Sequence, residues 1–378
     1  MATDSGWATS LGNRRGGVSP PNPVTQMPDI YIDLSSDTAT RPTAAMRDFM
    51  ARAEVGDEQR REDPTVNRLI EMVCELLSKE DALYLPSGTM CNQVAIRTHC
   101  QPSDEIIIDE TGHTRHFETG GPAALCGALV YPLPGVRGVF TAEQLESAIR
   151  PASNYFPRSR LVIVEQTSNL GGGTIWPLET IEEVCGTAKA HGLACHLDGA
   201  RLLNAVVASG IPASEYTAPF DSAWIDFSKG LGAPVGAALA GSREFIQQAW
   251  RWKHQFGGAM RQAGIIAAGA IYALEHHIER LAEDHANAQT LAQSLAAIEG
   301  ISVEPVDTNM VFFDVSGLGL RADHFAELLT QRGVRMSTMG ATRMRAVTHL
   351  DASASQIEEA LDAVKMVVAQ AGVLGLKP

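Results

Sequence analysis

Short apolar runs alternate with helical stretches along most of this chain, and that alternation restricts the fold more than any other feature. The runs at 105–108, 161–165, 193–197 and 224–227 each end at polar or glycine residues. Residues 65–77 have helical spacing, with Val66, Leu69, Ile70, Val73, Leu76 and Leu77 on one face. A second helical stretch, 178–191, lies between two of the runs and is ended by Gly192. Strand–helix–strand repetition predicts a mostly parallel sheet covered by helices on both faces. Ligands of such sheets sit beyond the carboxyl ends of the strands, which predicts that Asp109, Gln166, Asp198 and Ser228 gather at one edge.

From about residue 269 the pattern changes to α+β. One long helical region, 271–298, precedes strands at 301–305 and 310–315, a helix at 322–332, a strand at 347–350 and a last helix from Ser355. The expected organisation is a flexible tail (1–28) rich in Gly, Pro, Ser, Asn and Thr, a large domain (29–268) and a small C-terminal domain (269–378).

Composition narrows the function classes. A net charge of −14 over 378 residues argues against nucleic acid or an anionic membrane as partner, since both need a basic face. An acidic whole can still hold a basic pocket for an anionic small molecule. Six cysteines, at 74, 91, 100, 126, 185 and 195, form no CxxC pair and no metal-ligand spacing with histidine. Neither a disulfide framework nor a metal site is expected. With no apolar signal core and no long apolar segment, the cytoplasm is the expected location.

The strongest chemical constellation is the pair HLDGAR (196–201) and DFSKGLG (226–232). Pyridoxal-5'-phosphate (PLP) chemistry needs a lysine to form a Schiff base and a carboxylate to keep the pyridine nitrogen protonated. Asp198 ends one expected strand, and Lys229 closely follows another. Their bland alternatives are a helix cap and a solvated turn lysine. LPSGTMCNQVAI (85–96) places Ser87, Gly88 and Thr89 before a helix, where free N–H groups suit a phosphate or merely a cap. His113, just past a strand, could lie on a ring or be an ordinary surface histidine. Arg201 and Arg345 offer paired donors to a carboxylate, or decorate the surface. GLGLRA (317–322) fits a loose dinucleotide pattern but lacks the βαβ context, and neither GxxxxGK[ST] nor GxSxG is present.

Taken together, IDLSSDTATRPT (32–43), VGD…EDPTVN (55–67), LPSGTMCNQVA (85–95), HFETGG (116–121), HLDGARLLNAVV (196–207), SKGLGAPVGAALAGSREFI (228–246), RWKHQFGGAMRQAGI (251–265), DTNMVF (307–312) and RAVTHLD (345–351) fall in order along the chain. They resemble the threonine aldolase family, within the β-eliminating-lyase-like group of fold-type-I PLP enzymes. The resemblance implies an α/β, PLP-transferase-like large domain and a smaller α+β domain. It makes Lys229 the Schiff-base lysine, Asp198 the pyridine partner, Gly88 and Thr89 phosphate-binding amides, and His113 the ring-stacking group. Ser36, Arg201 and Arg345 become the carboxylate grip, and Arg201 also stands among the cofactor contacts. It further implies a homotetramer of close dimers with shared sites, in which Arg261 reaches a neighbour's phosphate.

The departures bear on mechanism. QTSNLGGG (166–173) carries Ser168, kept as a catalytic candidate, where the family has a histidine thought to handle the substrate's β-hydroxyl; serine is a weaker base, so another group or a water does that work, or the reaction differs. Arg60 stands in place of a tyrosine. Arg115 and His116 add basic groups after His113, so Arg60 and His116 join the candidate substrate contacts. The expected reaction is retro-aldol cleavage of a β-hydroxy-α-amino acid to glycine and an aldehyde. The alternatives are β-elimination, or cleavage of a related, dicarboxylic amino acid.

Overall fold

The computed structural model describes residues 30–373, so the expected tail lies outside the described residues. A first short strand, β1 (Ile32–Asp33), stands apart from the main sheet. Seven strands build that sheet: β2 (Asp81–Leu85), β3 (Glu105–Asp109), β4 (Leu129–Leu133), β5 (Ser159–Glu165), β6 (Ala194–Gly199), β7 (Ser222–Asp226) and β8 (Ala237–Gly241). Near the C-terminus come β9 (Ser302–Val303), β10 (Met310–Asp314), β11 (Val334–Arg335), β12 (Ser337–Thr338) and β13 (Arg343–Val347).

The large sheet has the order β2-β8-β7-β6-β5-β3-β4. Only β8 runs against its neighbours, so β2 through β7 all point one way. Their carboxyl ends therefore share one edge, as the alternating pattern predicts. Side chains alternate between two cores: Ile107, Val162, Leu197 and Ile225 pack into one, Ile106, Ile108, Leu161 and Ile163 into another on the opposite face. Helices cover both faces. Pro64–Leu77 starts where Asp63 accepts from Val66 N at 3.0 Å and Pro64 presets the first turn.

The expected long helix of 271–298 is two helices, Gly264–His276 and Leu281–Ala296. The first packs on Ala44–Ala51 and Pro64–Leu77, so the expected boundary at 268/269 falls inside an element of the large unit. The C-terminal unit holds the antiparallel sheet β12-β13-β10-β9 and takes β1 as a parallel partner of β11. Ile32 and Leu34 are buried with Phe313, Phe325 and Val334, so the N-terminal segment shares the core of the C-terminal unit. The strand expected at 347–350 is instead Arg343–Val347. Its arginines alternate with buried Met344 and Ala346, which hid it among polar residues. Among the described residues no helix is long and apolar enough to cross a membrane.

Candidate active site

A cavity of about 400 Å³ opens at the carboxyl edge of the large sheet. Five of the six co-directional strands supply a group: Gly88 after β2, His113 after β3, Glu165 from β5, Asp198 from β6, and Asp226 and Lys229 from β7. Ser36, Thr89, Arg201 and Arg345 line it as well. Eight sequence-selected residues are thus gathered in one place.

Lys229 leaves β7 through a turn in which Ser228 N and Oγ both donate to Asp226 Oδ1 at 2.7 Å. Its Nζ lies 3.2 Å from Asp226 Oδ2 and 5.5 Å from the centroid of the Trp224 ring. The Trp224 ring also explains Gly88: a Cβ there would come within 2.2 Å of it, so the strand-to-helix turn needs a glycine to pack. Ser87 caps the helix Gly88–His99, accepting from Met90 N at 3.2 Å. Ser87, Gly88 and Thr89, where that helix begins, line the cavity.

Asp198 is buried and accepts from Ala200 N at 3.1 Å and Asn92 Nδ2 at 2.8 Å. Burial raises its pKa; the charges of His113 and Lys229 and the Asn92 amide oppose that. Glu165 accepts from His113 N at 2.7 Å and Asn169 N at 2.9 Å. Burial and the neighbouring charge of Asp198 push it up to about 7. Glu118 accepts from Asn92 Nδ2 at 2.7 Å, and its Oε1 lies 3.0 Å from His113 Nδ1. Burial disfavours the His113 cation, but the hydrogen bond to Glu118 and the charges of Asp198 and Glu165 outweigh it and raise the ring's pKa. Polar atoms of His113, Glu118 and Asp198 converge within 4.8 Å, an acid-rich pocket suited to a cation.

The arginines differ from one another. Arg201 makes a paired contact with Asp37, Nε to Oδ2 and Nη2 to Oδ1, each at 2.7 Å, with both residues buried. Burial would raise the Asp37 carboxyl, yet Arg201 holds it well below the usual carboxylate range. Arg345 donates from Nη1 to Asn169 Oδ1 and from Nη2 to Ser35 O, both at 2.9 Å, and its buried Nε has no protein partner. Burial, reinforced by the charge of Arg201, lowers it to about 10.

Four expected residues lie elsewhere. Ser168 is buried beneath Gly138 and Gly171; a Cβ on either would sit 1.9 or 2.6 Å from its hydroxyl. Covered in this way, it does not line the cavity. Arg60 and Arg261 are exposed and face Asp57, at 3.8 and 2.9 Å. His116 Nε2 donates to Glu110 O at 2.7 Å on the surface, and Arg115 Nη1 donates to the same carbonyl at 2.6 Å. Within one chain none of these reaches the site.

Sequence reasoning missed Asp37, Asn92, Glu118, Glu165, Asn169 and Asp226. Glu165 was one residue away: Gln166, selected by the strand-end rule, turns its amide to Trp176 instead, donating to Trp176 O at 3.3 Å and accepting from Trp176 N at 3.0 Å. Side chains alternate along a strand, so Glu165, the last residue of β5, faces the cavity and Gln166 turns away. Asp109, also selected, accepts from Thr111 and from Gly135 N and pins loops. Asp226 sat in the quoted DFSKGLG segment, three residues before the lysine. Asn92 had no signal beyond its place on the Ser-Gly-Thr helix.

Residues 33–317 match the family described as beta-eliminating lyase. The chain is 41% identical over 329 residues to the low specificity L-threonine aldolase of Escherichia coli K12, covering 87% of this chain and 96% of that one. It is 38% identical over 337 residues to low-specificity L-threonine aldolase 1 of Arabidopsis thaliana, covering 87% and 94% respectively. The Leishmania major threonine aldolase structure superposes with a TM-score of 0.78 at 23% identity, over 89% of this chain and 99% of that one.

Proposed function

This chain belongs to the beta-eliminating lyase family, and from that premise we propose that it is a PLP-dependent lyase cleaving threonine-like β-hydroxy-α-amino acids to glycine and an aldehyde. One observation supports the reading above the rest: Lys229 and Asp198, from neighbouring strands, open on the same cavity as Arg345. The residues fit the cofactor. Asp198, Glu118 and Glu165 crowd three buried acids together, and a cationic ring nitrogen near Asp198 would offset the desolvation that raises its pKa.

When bound, PLP would supply an imine carbon at which the substrate's amino group replaces the Lys229 amine, and a ring able to accept the electrons of the breaking Cα–Cβ bond. Lys229 would hold it covalently, with Asp226 balancing the amine's charge beforehand. The amides of Gly88 and Thr89 would receive the phosphate, and His113 would lie against the ring. Arg345, with its unpaired Nε, and Ser36 would grip the carboxylate and so orient the bond to be broken. Arg201 stays tied to Asp37 and shapes that end of the cavity. With Ser168 covered, His113 takes the β-hydroxyl proton at Nε2, its Nδ1 being held by Glu118.

The other expectation, β-elimination or a dicarboxylic substrate, has less support. The relatives' names specify threonine cleavage, and Arg60, Arg115 and His116 are engaged on the surface. Cytoplasmic residence and a homotetramer with shared sites complete the proposal. Six free cysteines suit a reducing compartment, and Val55 and Ile265 are exposed in the segments that carry Arg60 and Arg261. An assay of glycine and aldehyde from threonine, allo-threonine, phenylserine and 3-hydroxyaspartate tests the reading. Equal amounts of both products support it; ammonia and a keto acid in their place contradict it.

A further inference from the structure

Behind Asp198 a line of hydrogen bonds runs the length of the sheet. Asn92 Nδ2 meets Asp198 Oδ2 at 2.8 Å, and His196 Nε2 meets Asn92 Oδ1 at 3.2 Å. Ser222 Oγ meets His196 Nδ1 at 2.8 Å, and His99 Nε2 meets Ser222 Oγ at 2.8 Å. Sequence and topology explain the alignment. Asn92 and His99 lie seven residues apart on the helix Gly88–His99, hence on one face, while His196 and Ser222 are paired across β6 and β7. His99 ends at a second cavity of about 580 Å³, on the amino edge of the sheet, which Lys79 and Arg160 also line.

The direction of every proton follows from elementary accounting. Asn92 Oδ1 has lone pairs only, so Trp224 Nε1, at 2.8 Å, and His196 Nε2 both donate to it. Burial lowers His196 to about 3, leaving a neutral ring with one proton, which must be on Nε2. Nδ1 then accepts, and Ser222 donates to it. The hydroxyl has no second proton, so His99 donates to Ser222; burial lowers His99 to about 4 and keeps it neutral as well. Turning the Asn92 amide over would set its NH₂ against two donors. The amide thus has a single orientation, with one N–H on Asp198 and the other on Glu118.

We propose that His196, Ser222 and His99 are positioning residues, a buried relay that locks the Asn92 amide toward Asp198 and keeps that carboxylate charged for the cofactor's ring nitrogen. The inference rests on the PLP reading above for its purpose, but its geometry stands on the protein alone. Two measurements on the full-length chain separate the two claims.

Side-chain nitrogen NMR of the purified protein should show His196 as the neutral Nε2–H tautomer across neutral pH. A protonated ring or the Nδ1–H tautomer overturns the relay, whether or not cofactor binds. Absorbance and equilibrium titration with PLP then read its effect. His196→Leu should weaken binding about tenfold and shift the visible band, because Asn92 loses a donor. His196→Gln, whose Nε2 can donate in place of the ring, should stay within about threefold of the parent. A His196→Leu protein with parental melting, affinity and band position would falsify the relay. A parent chain that takes up no PLP defeats the functional reading and leaves the NMR result to judge the geometry.

Discussion

Arg201 and Asp37 show how much of this site is held by charges removed from water. Removing one partner of such a pair leaves an uncompensated buried ion, which costs about 3–5 kcal/mol. Asp37→Ala should lower the unfolding free energy by that order in a denaturant titration, whereas Asp362→Ala, in an exposed pair with Lys365, should change it by less than about 1 kcal/mol. The pH dependence has a definite sign. Asp37's folded pKa is depressed, so its stabilisation is present at neutral pH and is lost as pH falls below the usual carboxylate range. His113 behaves oppositely, because its pKa is raised above 6.5. As a base it must be neutral, so kcat/KM should climb with pH through a midpoint above 6.5. His113→Phe should remove that limb and cost roughly 10²–10⁴ in kcat; a flat profile in the parent would rule His113 out as the base.

At the scale of elements, the turn from β2 into the helix Gly88–His99 carries the greatest demand. It lines the cavity with Ser87, Gly88 and Thr89, bears Asn92 one turn on, and packs against the ring of Trp224. Gly88→Ala forces a Cβ into that ring, and overpacking of this kind costs about 1–3 kcal/mol. The melting temperature should fall and PLP affinity should fall with it; Ser87→Ala, which removes the cap, should cost about 1 kcal/mol in stability. This turn was legible in the sequence because SGT precedes a helical pattern. Glu165 was not: the run 161–165 ends where the strand ends, but the residue just past it was selected, and one step along the chain turns a side chain to the opposite face. Asn92 and Glu118 were also hidden, because their importance comes from partners distant in sequence, His196 and Trp224 among them.

For the molecule as a whole, the parallel sheet was readable from apolar runs alone, whereas the division into two units was less so. Ile32 and Leu34 cross from the N-terminal segment into the C-terminal core, a non-local pairing with β11 that no local pattern signals. Leu34→Ala should therefore loosen the C-terminal unit first. A cavity of that kind costs about 2–5 kcal/mol, and unfolding should split into two transitions if the units uncouple. Arg345 on β13 depends on that unit, so carboxylate binding should weaken before cofactor binding does. The proposed chemistry depends on one covalent bond between Lys229 and a cofactor aldehyde. Borohydride reduction of the purified protein followed by peptide mapping reads it directly. A reduced pyridoxyl group should appear on the peptide containing Lys229 and be lost in Lys229→Ala; a label on a different lysine, or no label in a protein that still cleaves threonine, would contradict the proposal.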